Sequence, residues 1–477
     1  MTNLGACRMA GAVLLLCAAT AIGAPAQTFE WVNFDGADGT SPGASLVQGP
    51  DGRAYGTTVY GGARGSGSVF RITREGTLTT LYNFCASDNC VDGAAPIAGL
   101  VLGTDGSFYS TTQDGGDNGF GTVFKITPTG TLTNLHSFDL SDGAAPAQGL
   151  VQATDGDFYG TTLRGGVVND TCPMGCGTIF KITPEGTLTT LHSFNSIDGA
   201  NPQYGALIQA VDGNFYGTTA EGGDNGNYGT VFKITRDGIL TTLHSFDSID
   251  GASPGGWLVQ ATDGTFYGTT AAGGISTCVP YGCGTVFKIT PGGALTTLYS
   301  FCIQSNCTDG EIPEAGLVLA TDGSLYGTTA RGGANSLYGT VFKIGQGGAL
   351  TTLHSFNSTD GAVPIGGLVQ ATNGTFYGTT YLDGTNGDGT AFRLFAGLGP
   401  FVAFVRAAGR VGQTGPILGQ GFIGTTGVSL NGTPASFTVV SDTFIRATVP
   451  AGATTGYVTV ATPTGMLTSN VPFHVIP

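Results

Sequence analysis

Two acidic side chains in one segment are the first candidates for chemistry. Glu311 and Glu314 are close neighbours in the chain, and the other copies of the repeat described below lack this pair. Glycoside-cleaving enzymes use two carboxyl groups, one as general acid and one as nucleophile or base. The interpretation that we favour is a solvated loop, and catalysis by these two glutamates is the alternative.

Aromatic and charged residues that break the repeat pattern are the second set of candidates. Trp257 and Tyr204 each precede a strand-like run, and their rings combine a flat apolar face with a polar edge. They could therefore form platforms for sugar rings, although we favour ordinary packing. The other candidates for ligand contact are Arg164, Glu221, Arg331 and Tyr381.

One aspartate recurs in the motif Asp-Gly-x-x-Pro, at Asp38, Asp92, Asp142, Asp198, Asp250, Asp309 and Asp360. An aspartate in such a turn accepts hydrogen bonds from nearby backbone N–H groups, and the proline fixes the path that follows. We favour this interpretation. Carboxylates and carbonyls that hold calcium are the alternative, although no EF-hand spacing is present. No other cofactor is predicted.

The histidines do not form a catalytic set. One repeat position holds either histidine or tyrosine, which indicates packing: His136, His192, His244, His354, Tyr82 and Tyr299. His474 lies in a C-terminal segment of different character. The loops are therefore left without a histidine for a nucleophilic triad or a metal cluster.

The later cysteines form four close pairs: Cys85 with Cys90, Cys172 with Cys176, Cys278 with Cys283, and Cys302 with Cys307. Such spacing is typical of local disulfides in an oxidising compartment. Zinc binding is the alternative, and it would require pairs that converge in space. Because each closed loop is short, we expect about 2 kcal/mol of stabilisation from each disulfide. Their predicted effect is to stiffen loops.

A repeat of about fifty residues must position all of these side chains, and a period of this length is typical of propellers or solenoids. The motif Asp-Gly-x-x-Tyr-Gly-Thr-Thr marks seven copies, through Tyr55, Tyr109, Tyr159, Tyr216, Tyr267, Tyr326 and Tyr377. In the third copy, the predicted strands a to d are Leu150–Ala153, Phe158–Thr162, Thr178–Thr183 and Leu188–Phe194. A four-stranded antiparallel unit in seven copies predicts an all-β fold with a seven-bladed β-propeller.

The two ends of the repeat region predict a closed ring. Residues 29–34 match a strand d, whereas the seventh copy stops after its strand c, at residues 390–394. Pairing of these segments would leave no unpaired edge between the first and last blades. The predicted boundaries are 27–396 for the propeller, 397–400 for a linker and 401–477 for a C-terminal domain.

The connections between strands fall on two faces. In an up-and-down blade the d-to-a and b-to-c connections share one face, here called the loop face, and the a-to-b and c-to-d turns share the other, the turn face. The loop face holds the differences in length between repeats and the eight cysteines of the four pairs. Because variable loops on a rigid scaffold often carry binding sites, the sequence predicts recognition there.

The first residues and the charge balance predict the location. Residues 1–26 carry an early arginine, an apolar run and the sequence Ala24-Pro25-Ala26, which predicts a signal peptide. The formal charge of −15 disfavours nucleic acid and anionic lipid as partners. We expect a secreted or cell-surface protein without membrane insertion after signal removal.

The segment from Phe401 to Pro477 contains short alternating strands, including residues 427–430, 436–440, 443–449, 456–461 and 473–476, and predicts a small β-sandwich. Its runs GQGF, VSLNGTPASFTVVSDTFIRATVP and GYVTVATPTGMLTSNVPFHV resemble an IPT/TIG immunoglobulin-like domain. The repeats, in LVQATDGTFYGTT and GTVFKITPGGALTTLYSF, resemble the bacterial GloVer tandem-repeat family. The two resemblances imply an exported bacterial protein with a spacer or adhesion module, and the repeat family supplies no settled activity.

Three functions follow from these observations. The one we favour is a non-catalytic binding or adhesion protein that recognises an extracellular glycan or protein through the loop face. The second is an enzyme that acts on extracellular polysaccharide, a lyase or a hydrolase. The third is a structural component of the cell envelope.

Overall fold

The computed structural model describes residues 28–203, 205–274, 278, 282–335 and 337–476. In this part of the chain the protein is almost entirely β-structure, and its one helix is a 3-10 turn at Ser305–Cys307. The prediction of an all-β fold is therefore confirmed. No described helix is long and apolar enough to cross a membrane. The predicted signal peptide lies outside the described residues.

Among the described residues the repeats form seven antiparallel sheets. The chain begins with β1 (Thr28–Asn33), which joins the last of them. Sheet 1 contains β2 (Val47–Gln48), β3 (Ala54–Thr58), β4 (Ser68–Ile72) and β5 (Leu78–Asn83); sheet 2 contains β6 (Val101–Leu102), β7 (Phe108–Thr112), β8 (Thr122–Ile126) and β9 (Leu132–Ser137); sheet 3 contains β10 (Val151–Gln152), β11 (Phe158–Thr162), β12 (Thr178–Ile182) and β13 (Leu188–Ser193).

Sheet 4 contains β14 (Ile208–Gln209), β15 (Phe215–Thr219), β16 (Thr230–Ile234) and β17 (Leu240–Ser245). Sheet 5 has an additional short strand and contains β18 (Ala252–Pro254), β19 (Val259–Gln260), β20 (Phe266–Ala272), β21 (Thr285–Ile289) and β22 (Leu295–Ser300). Sheet 6 contains β23 (Val318–Leu319), β24 (Leu325–Thr329), β25 (Thr340–Ile344) and β26 (Leu350–Ser355). Sheet 7 contains β27 (Val369–Gln370), β28 (Phe376–Thr380), β29 (Thr390–Phe395) and, at its edge, β1.

The residues of the repeat motif form hydrogen bonds and ion pairs with one another within a sheet, as sheet 2 illustrates. In sheet 2 the Tyr109 hydroxyl donates to Asp105 Oδ2 at 2.9 Å, and Lys125 Nζ lies 2.8 Å from the same oxygen. Burial raises the pKa of Tyr109 to about 12, so the hydroxyl stays a donor. The buried hydroxyls of Thr112 and Thr122 bond at 2.8 Å across strands b and c. These contacts explain the motif, because buried polar groups need partners.

The apolar core lies between consecutive sheets. The Tyr109 ring stacks on Phe158 of sheet 3 with centroids 4.0 Å apart, and Phe138 meets Phe180 edge-on at 5.3 Å. Both contacts belong to one buried cluster that combines sheets 2 and 3. Burial of each phenylalanine contributes about 1.5–3 kcal/mol, so the stacking of sheets is the main source of stability.

Sheet 7 contacts both the sixth and the first sheets. Strand β1 pairs with β29 from Thr28 opposite Phe395 to Asn33 opposite Thr390, as the sequence predicted for the first segment. On one side Phe29 stacks on His354 of sheet 6 with ring centroids 3.6 Å apart. On the other side Thr379 Oγ1 donates to the Ala44 carbonyl at 2.9 Å. The first and last repeats are therefore neighbours.

Strand d of sheets 1 to 6 contains a β-bulge, and β1 does not. In sheet 3, for example, Ile179 pairs with His192 and Phe180 pairs with Thr190, which leaves Leu191 as the extra residue. The corresponding leucines are Leu81, Leu135, Leu191, Leu243, Leu298 and Leu353. Strand β1 has no counterpart to this leucine, because Val32 and Trp31 pair with consecutive residues of β29.

The C-terminal segment forms two four-stranded antiparallel sheets and one two-stranded parallel sheet. Their strands are β30 (Ala403–Phe404), β31 (Ala408–Arg410), β32 (Thr414–Leu418), β33 (Gly427–Leu430), β34 (Thr433–Pro434), β35 (Phe437–Ser441), β36 (Phe444–Thr448), β37 (Val458–Thr462), β38 (Gly465–Thr468) and β39 (His474–Ile476). One buried cluster that includes Phe422, Ile445 and Val460 lies between the two larger sheets.

This C-terminal unit packs on the turn face. Gln420 Nε2 donates to Thr372 Oγ1 at 2.7 Å, and Thr443 Oγ1 donates to the Pro50 carbonyl at 2.7 Å. Arg406 reaches the Thr154 carbonyl at 3.2 Å. Since these acceptors belong to the a-to-b turns of sheets 7, 1 and 3, part of the turn face is covered.

Candidate binding site on the loop face

Trp257 occupies a position next to strand a where the other repeats carry small residues. The equivalent residues are Ser45, Gly99, Gly149, Ala206, Gly316 and Gly367. A Cβ atom at Gly316 or Gly367 would overlap the indole of Trp257. The ring therefore extends from sheet 5 across the innermost residues of sheets 6 and 7.

A cavity of about 310 Å³ lies beside the indole. Its lining includes Leu46, Val318, Leu368 and Gln370 from three sheets, and Asn470 from the C-terminal unit. Trp257 and Asn470 thus border a central space between the innermost strands. The sequence had favoured packing for Trp257. Its indole packs against the two glycines. Part of its surface is exposed, so a ligand can reach it.

The two glutamates lie in the connection that leads into sheet 6, and Glu314 lies next to the segment that precedes Trp257. A Cβ atom at Gly255, two residues before Trp257, would lie 2.9 Å from Glu314 Cα. Glu311 and Arg331 exchange backbone hydrogen bonds of 2.9 and 3.1 Å. Burial raises the pKa of both Glu311 and Glu314, and the Arg331 guanidinium opposes the rise. The cluster therefore combines protonatable carboxyl groups with one cation.

Tyr381 lies where sheet 7 meets sheet 1. A Cβ atom at Gly43 would lie 3.1 Å from Tyr381 Cδ2 and 3.3 Å from Ile365 Cδ1. Burial, and then the neighbouring Tyr60 hydroxyl, raise the pKa of Tyr381. Tyr60 is 51% exposed. Trp257, Glu314 and Tyr381 thus belong to the consecutive sheets 5, 6 and 7, and Tyr381 also faces sheet 1.

Sequence reasoning missed Tyr60, Ile365 and Asn470 in this region. Tyr60 carried a signal, because it stands at the same repeat position as Arg164, Glu221 and Arg331. Asn470 carried none, since its place depends on how the C-terminal unit docks.

The remaining candidates lie elsewhere on the loop face. Arg164 and Glu221 are exposed at equivalent positions of sheets 3 and 4, where their backbones pair with Ala144 and Ala200. The Asn201 amide donates to Glu221 Oε1 at 3.3 Å. Tyr204 lies outside the described residues. The structure therefore does not group these two charges with Trp257.

The recurring aspartates take part in local contacts. Asp142 Oδ1 accepts the Asp139 N–H at 3.0 Å, and Asp142 Oδ2 lies 2.7 Å from His136 Nε2. The same histidine or tyrosine contact, at 2.7–3.0 Å, recurs for Asp92, Asp198, Asp250, Asp309 and Asp360. Asp38 instead accepts the Asp35 N–H at 3.1 Å. These contacts fit the turn interpretation, and they engage oxygens that calcium would require.

The four predicted disulfides are confirmed: Cys85–Cys90, Cys172–Cys176, Cys278–Cys283 and Cys302–Cys307. All four lie on the loop face, in b-to-c or d-to-a connections. They brace the connections in which they lie, outside the paired strands of each sheet.

Comparison with known proteins connects the chain to one family. The family model for the Gloeobacter/Verrucomicrobia repeat matches residues 18–171, 86–280, 149–319 and 276–433. No curated protein matches the chain.

Solved structures show distant likeness. A candidate 6-phosphogluconolactonase from Bacteroides fragilis is 18% identical, with 66% of this chain and 83% of that chain covered and a TM-score of 0.43. The periplasmic gluconolactonase of Pseudomonas aeruginosa is 15% identical, with 68% and 90% covered and a TM-score of 0.41. A gluconolactonase from Xanthomonas campestris is 13% identical, with 63% and 86% covered and a TM-score of 0.38. Likeness at this level does not bear on the activity of this chain.

Proposed function

The chain belongs to the Gloeobacter/Verrucomicrobia repeat family, and on that premise we propose that it is a non-catalytic protein that recognises an extracellular glycan through the loop face of a closed seven-bladed propeller. The C-terminal unit is an IPT/TIG-like sandwich that acts as a spacer or a second contact. The protein works outside the cytoplasm, where its disulfides persist.

Contacts between the first and last repeats support the closed ring. Gln48 Nε2 of sheet 1 donates to Thr372 Oγ1 of sheet 7 at 2.9 Å, and Thr372 N–H donates back to Gln48 Oε1 at 2.8 Å. Phe34, which follows β1, meets Phe70 of sheet 1 edge-on at 5.0 Å. Since each sheet also packs on the next, the seven sheets return to their starting point.

The placement of Trp257 is the observation that carries the recognition proposal. Its indole lies where the other repeats hold small residues and packs over Gly316 and Gly367. The connection that precedes Gly316 carries Glu314, whose carboxyl group is influenced by the Arg331 guanidinium, and Tyr381 lies farther along the loop face, on sheet 7. An aromatic face on a surface that carries such polar groups suits a sugar ring, which has apolar C–H faces and polar hydroxyls. The C-terminal unit covers part of the opposite face, so an approaching glycan meets the loop face.

A glycan array with paired tryptophan variants tests this proposal. The chain has two tryptophans, and Trp31 lies on the outer strand β1, 44% exposed. We expect Trp257→Ala to weaken binding at least about tenfold, equivalent to about 1.4 kcal/mol. Trp257→Phe should keep part of the affinity, and Trp31→Ala should bind like the parent protein. Equal binding by the parent and by Trp257→Ala at unchanged melting temperature would refute the proposal.

The raised pKa values of Glu311 and Glu314 favour polysaccharide cleavage as the second candidate function. A carboxyl group with a raised pKa keeps its proton to higher pH and can therefore serve as a general acid. Under this alternative, Glu311→Gln or Glu314→Gln should abolish release of reducing or unsaturated ends from a polysaccharide substrate. Glu221→Gln is the matched control, because Glu221 is exposed on sheet 4. Product release that survives both Gln variants excludes these two carboxyl groups as catalytic groups, and a parent protein that releases no product excludes this function.

A further inference from the structure

Two of the four cysteine pairs converge at one point of the loop face. The sulfur atoms of Cys278, Cys283, Cys302 and Cys307 and a carboxylate oxygen of Glu311 all lie within 4.8 Å of one another. Glu311 Oε2 is 3.7 Å from Cys278 Sγ and 3.9 Å from Cys283 Sγ. In the described part of the chain, no other group of three or more such ligands is brought together.

Strand pairing places two of these four cysteines, Cys283 and Cys302, next to each other. Thr285 at the start of β21 pairs with Ser300 at the end of β22. Cys283 stands two residues before Thr285, and Cys302 stands two residues after Ser300, so the antiparallel ladder sets them opposite each other. Both cysteines are buried, with 1% and 7% exposure. These two cysteines would therefore keep their positions if both disulfides were reduced, and Cys278 and Cys307 lie in the connections next to them.

The other two cysteine pairs are halves of the same arrangement. Cys85 follows β5 of sheet 1, and the residue opposite it across the ladder is Ser66. Cys176 precedes β12 of sheet 3, and the residue opposite it is Asn195. Sheet 1 thus has the d-to-a half, sheet 3 has the b-to-c half, and sheet 5 has both.

Four thiolates at this spacing suit a soft divalent metal. Tetrahedral zinc with four Zn–S bonds of about 2.3 Å separates its sulfurs by about 3.8 Å, which falls within the 4.8 Å that encloses the cluster. Each pair has four residues between its cysteines, within the spacing found in structural zinc sites. We propose that sheet 5 carries a four-sulfur site that binds Zn²⁺ when its two disulfides are reduced.

Reduction of the two disulfides makes the four sulfurs available to the metal. Two molecules of a dithiol reductant transfer four electrons and four protons to the two disulfides, which gives four thiols and two oxidised reductant molecules. Zn²⁺ then displaces the four thiol protons and forms four Zn–S bonds. In the reverse direction two molecules of a disulfide oxidant take up four electrons from the thiolates and four protons from solvent, which gives two reduced oxidant molecules, releases Zn²⁺ and restores Cys278–Cys283 and Cys302–Cys307. The site therefore holds either two disulfides or one metal ion.

Titration of the full-length protein with Co²⁺ tests the site, because tetrahedral cobalt thiolates absorb visible light and Zn²⁺ displaces the cobalt. After anaerobic reduction, we expect one Co²⁺ per chain and a spectrum that Zn²⁺ abolishes. Binding should weaken as pH falls, since protons compete for the sulfurs. The untreated protein should give no cobalt spectrum.

Serine variants locate the metal within the chain. Cys283→Ser and Cys278→Ser should each reduce cobalt affinity at least about a hundredfold, and Cys278→Ser serves where the buried variant does not fold. The double variants Cys85→Ser with Cys90→Ser and Cys172→Ser with Cys176→Ser should leave the stoichiometry at one. A reduced, folded protein that binds no Co²⁺, or that loses binding in the control variants, overturns the proposal.

Discussion

The junction between sheets 7 and 1 differs from the junctions between earlier consecutive sheets. At the five junctions from sheets 1 and 2 to sheets 5 and 6, the extra leucine of strand d lies against the glycine of the next c-to-d turn. A Cβ atom at Gly186, for example, would lie 2.5 Å from the Leu135 carbonyl oxygen. At the junction of sheets 7 and 1, β1 has no such leucine, and no heavy atom lies within 4 Å of the equivalent Cβ position at Gly76.

The stack of a strand b tyrosine on a phenylalanine of the next sheet is also missing at this junction. Five tyrosines of strand b stack on a phenylalanine of the next sheet at 4.0–4.4 Å. Tyr377 instead faces the small residue Ala54, and Asn373 replaces the aspartate that accepts the tyrosine hydroxyl in other repeats. A cavity of about 90 Å³ remains, lined in part by Val32, Leu46 and Ile72. The closing junction thus keeps the edge contact of Phe34 with Phe70 and the hydrogen bonds between sheets 7 and 1, but it lacks the stacked tyrosine.

Deletion of β1 should change the stability of the closing junction more than any other variant considered. Deletion of residues 28–33 exposes the edge of β29 and removes the ring contacts of Phe29. We expect the free energy of unfolding to fall by about 5 kcal/mol or more, with a clear drop in melting temperature by calorimetry. An unchanged melting temperature would show that β1 does not close the structure.

A single substitution separates packing from strand pairing within β1. Phe29→Ala removes the stack on His354 and the edge contact with Phe356, and should cost about 3 kcal/mol. Trp31→Ala changes the 44% exposed neighbour on the same strand and should cost less than about 1 kcal/mol. Chemical denaturation of both variants measures the difference. Equal losses would mean that pairing alone holds β1.

Restoring the missing ring should make the closing junction resemble the others. Ala54→Phe places a ring beside Tyr377, which lines the 90 Å³ cavity, and we expect a gain of about 1 kcal/mol from stacking. Leu325→Phe is the matched control, because it adds a ring at the junction of sheets 5 and 6, where Leu325 is fully buried. That variant should lose stability through overpacking. A loss in both variants would mean that the cavity cannot accept a ring.

The loops that carry the recurring aspartates should respond to pH in opposite directions. Burial alone would raise the pKa of Asp250, but hydrogen bonds from His244 and the Asp247 N–H hold it below its ordinary value. Its stabilising effect is thus present above the unfolded pKa of 3.8 and lost as pH falls through the folded pKa. Asp38, which has no histidine or tyrosine partner, has a pKa that burial raises. Its ionisation destabilises the fold, and this cost disappears as pH falls through its folded pKa.

Melting temperatures of two variants check this contrast. Asp250→Asn should lower the melting temperature at neutral pH, with a smaller difference in strong acid. Asp38→Asn, which keeps an oxygen for the Asp35 N–H, should raise it at neutral pH and have no effect in strong acid. These are the smallest expected changes, and shifts of the same sign in both variants would contradict the assignment.

Local patterns predicted the strands well. Strand b of the third repeat, Phe158–Thr162, begins and ends where the sequence placed it, and strand d ends one residue before its predicted end, at Ser193. The first strand, predicted at residues 29–34, lies at Thr28–Asn33. Alternating residues and turn signals determine these elements locally, so sequence alone was sufficient.

Contacts between distant segments could not be predicted in the same way. The bulged leucines look like ordinary strand residues, because only pairing with strand c leaves one of them extra. The packing of the Trp257 indole against Gly316 and Gly367 depends on how three sheets meet. The convergence of Cys283 and Cys302 follows from a register that the spacing of the cysteines does not fix. Such features need the packed structure.

The register of β1 also determines how the protein would respond to mechanical load. Thr28, where β1 begins, lies opposite Phe395, where β29 ends and the chain leaves for the C-terminal unit. Tension between these two ends would act on a single residue pair first and peel the ladder open one pair after another. A pull along the two strands would instead load all six pairs together. The ladder should therefore open at a much lower force when tension is applied at Thr28 and Phe395.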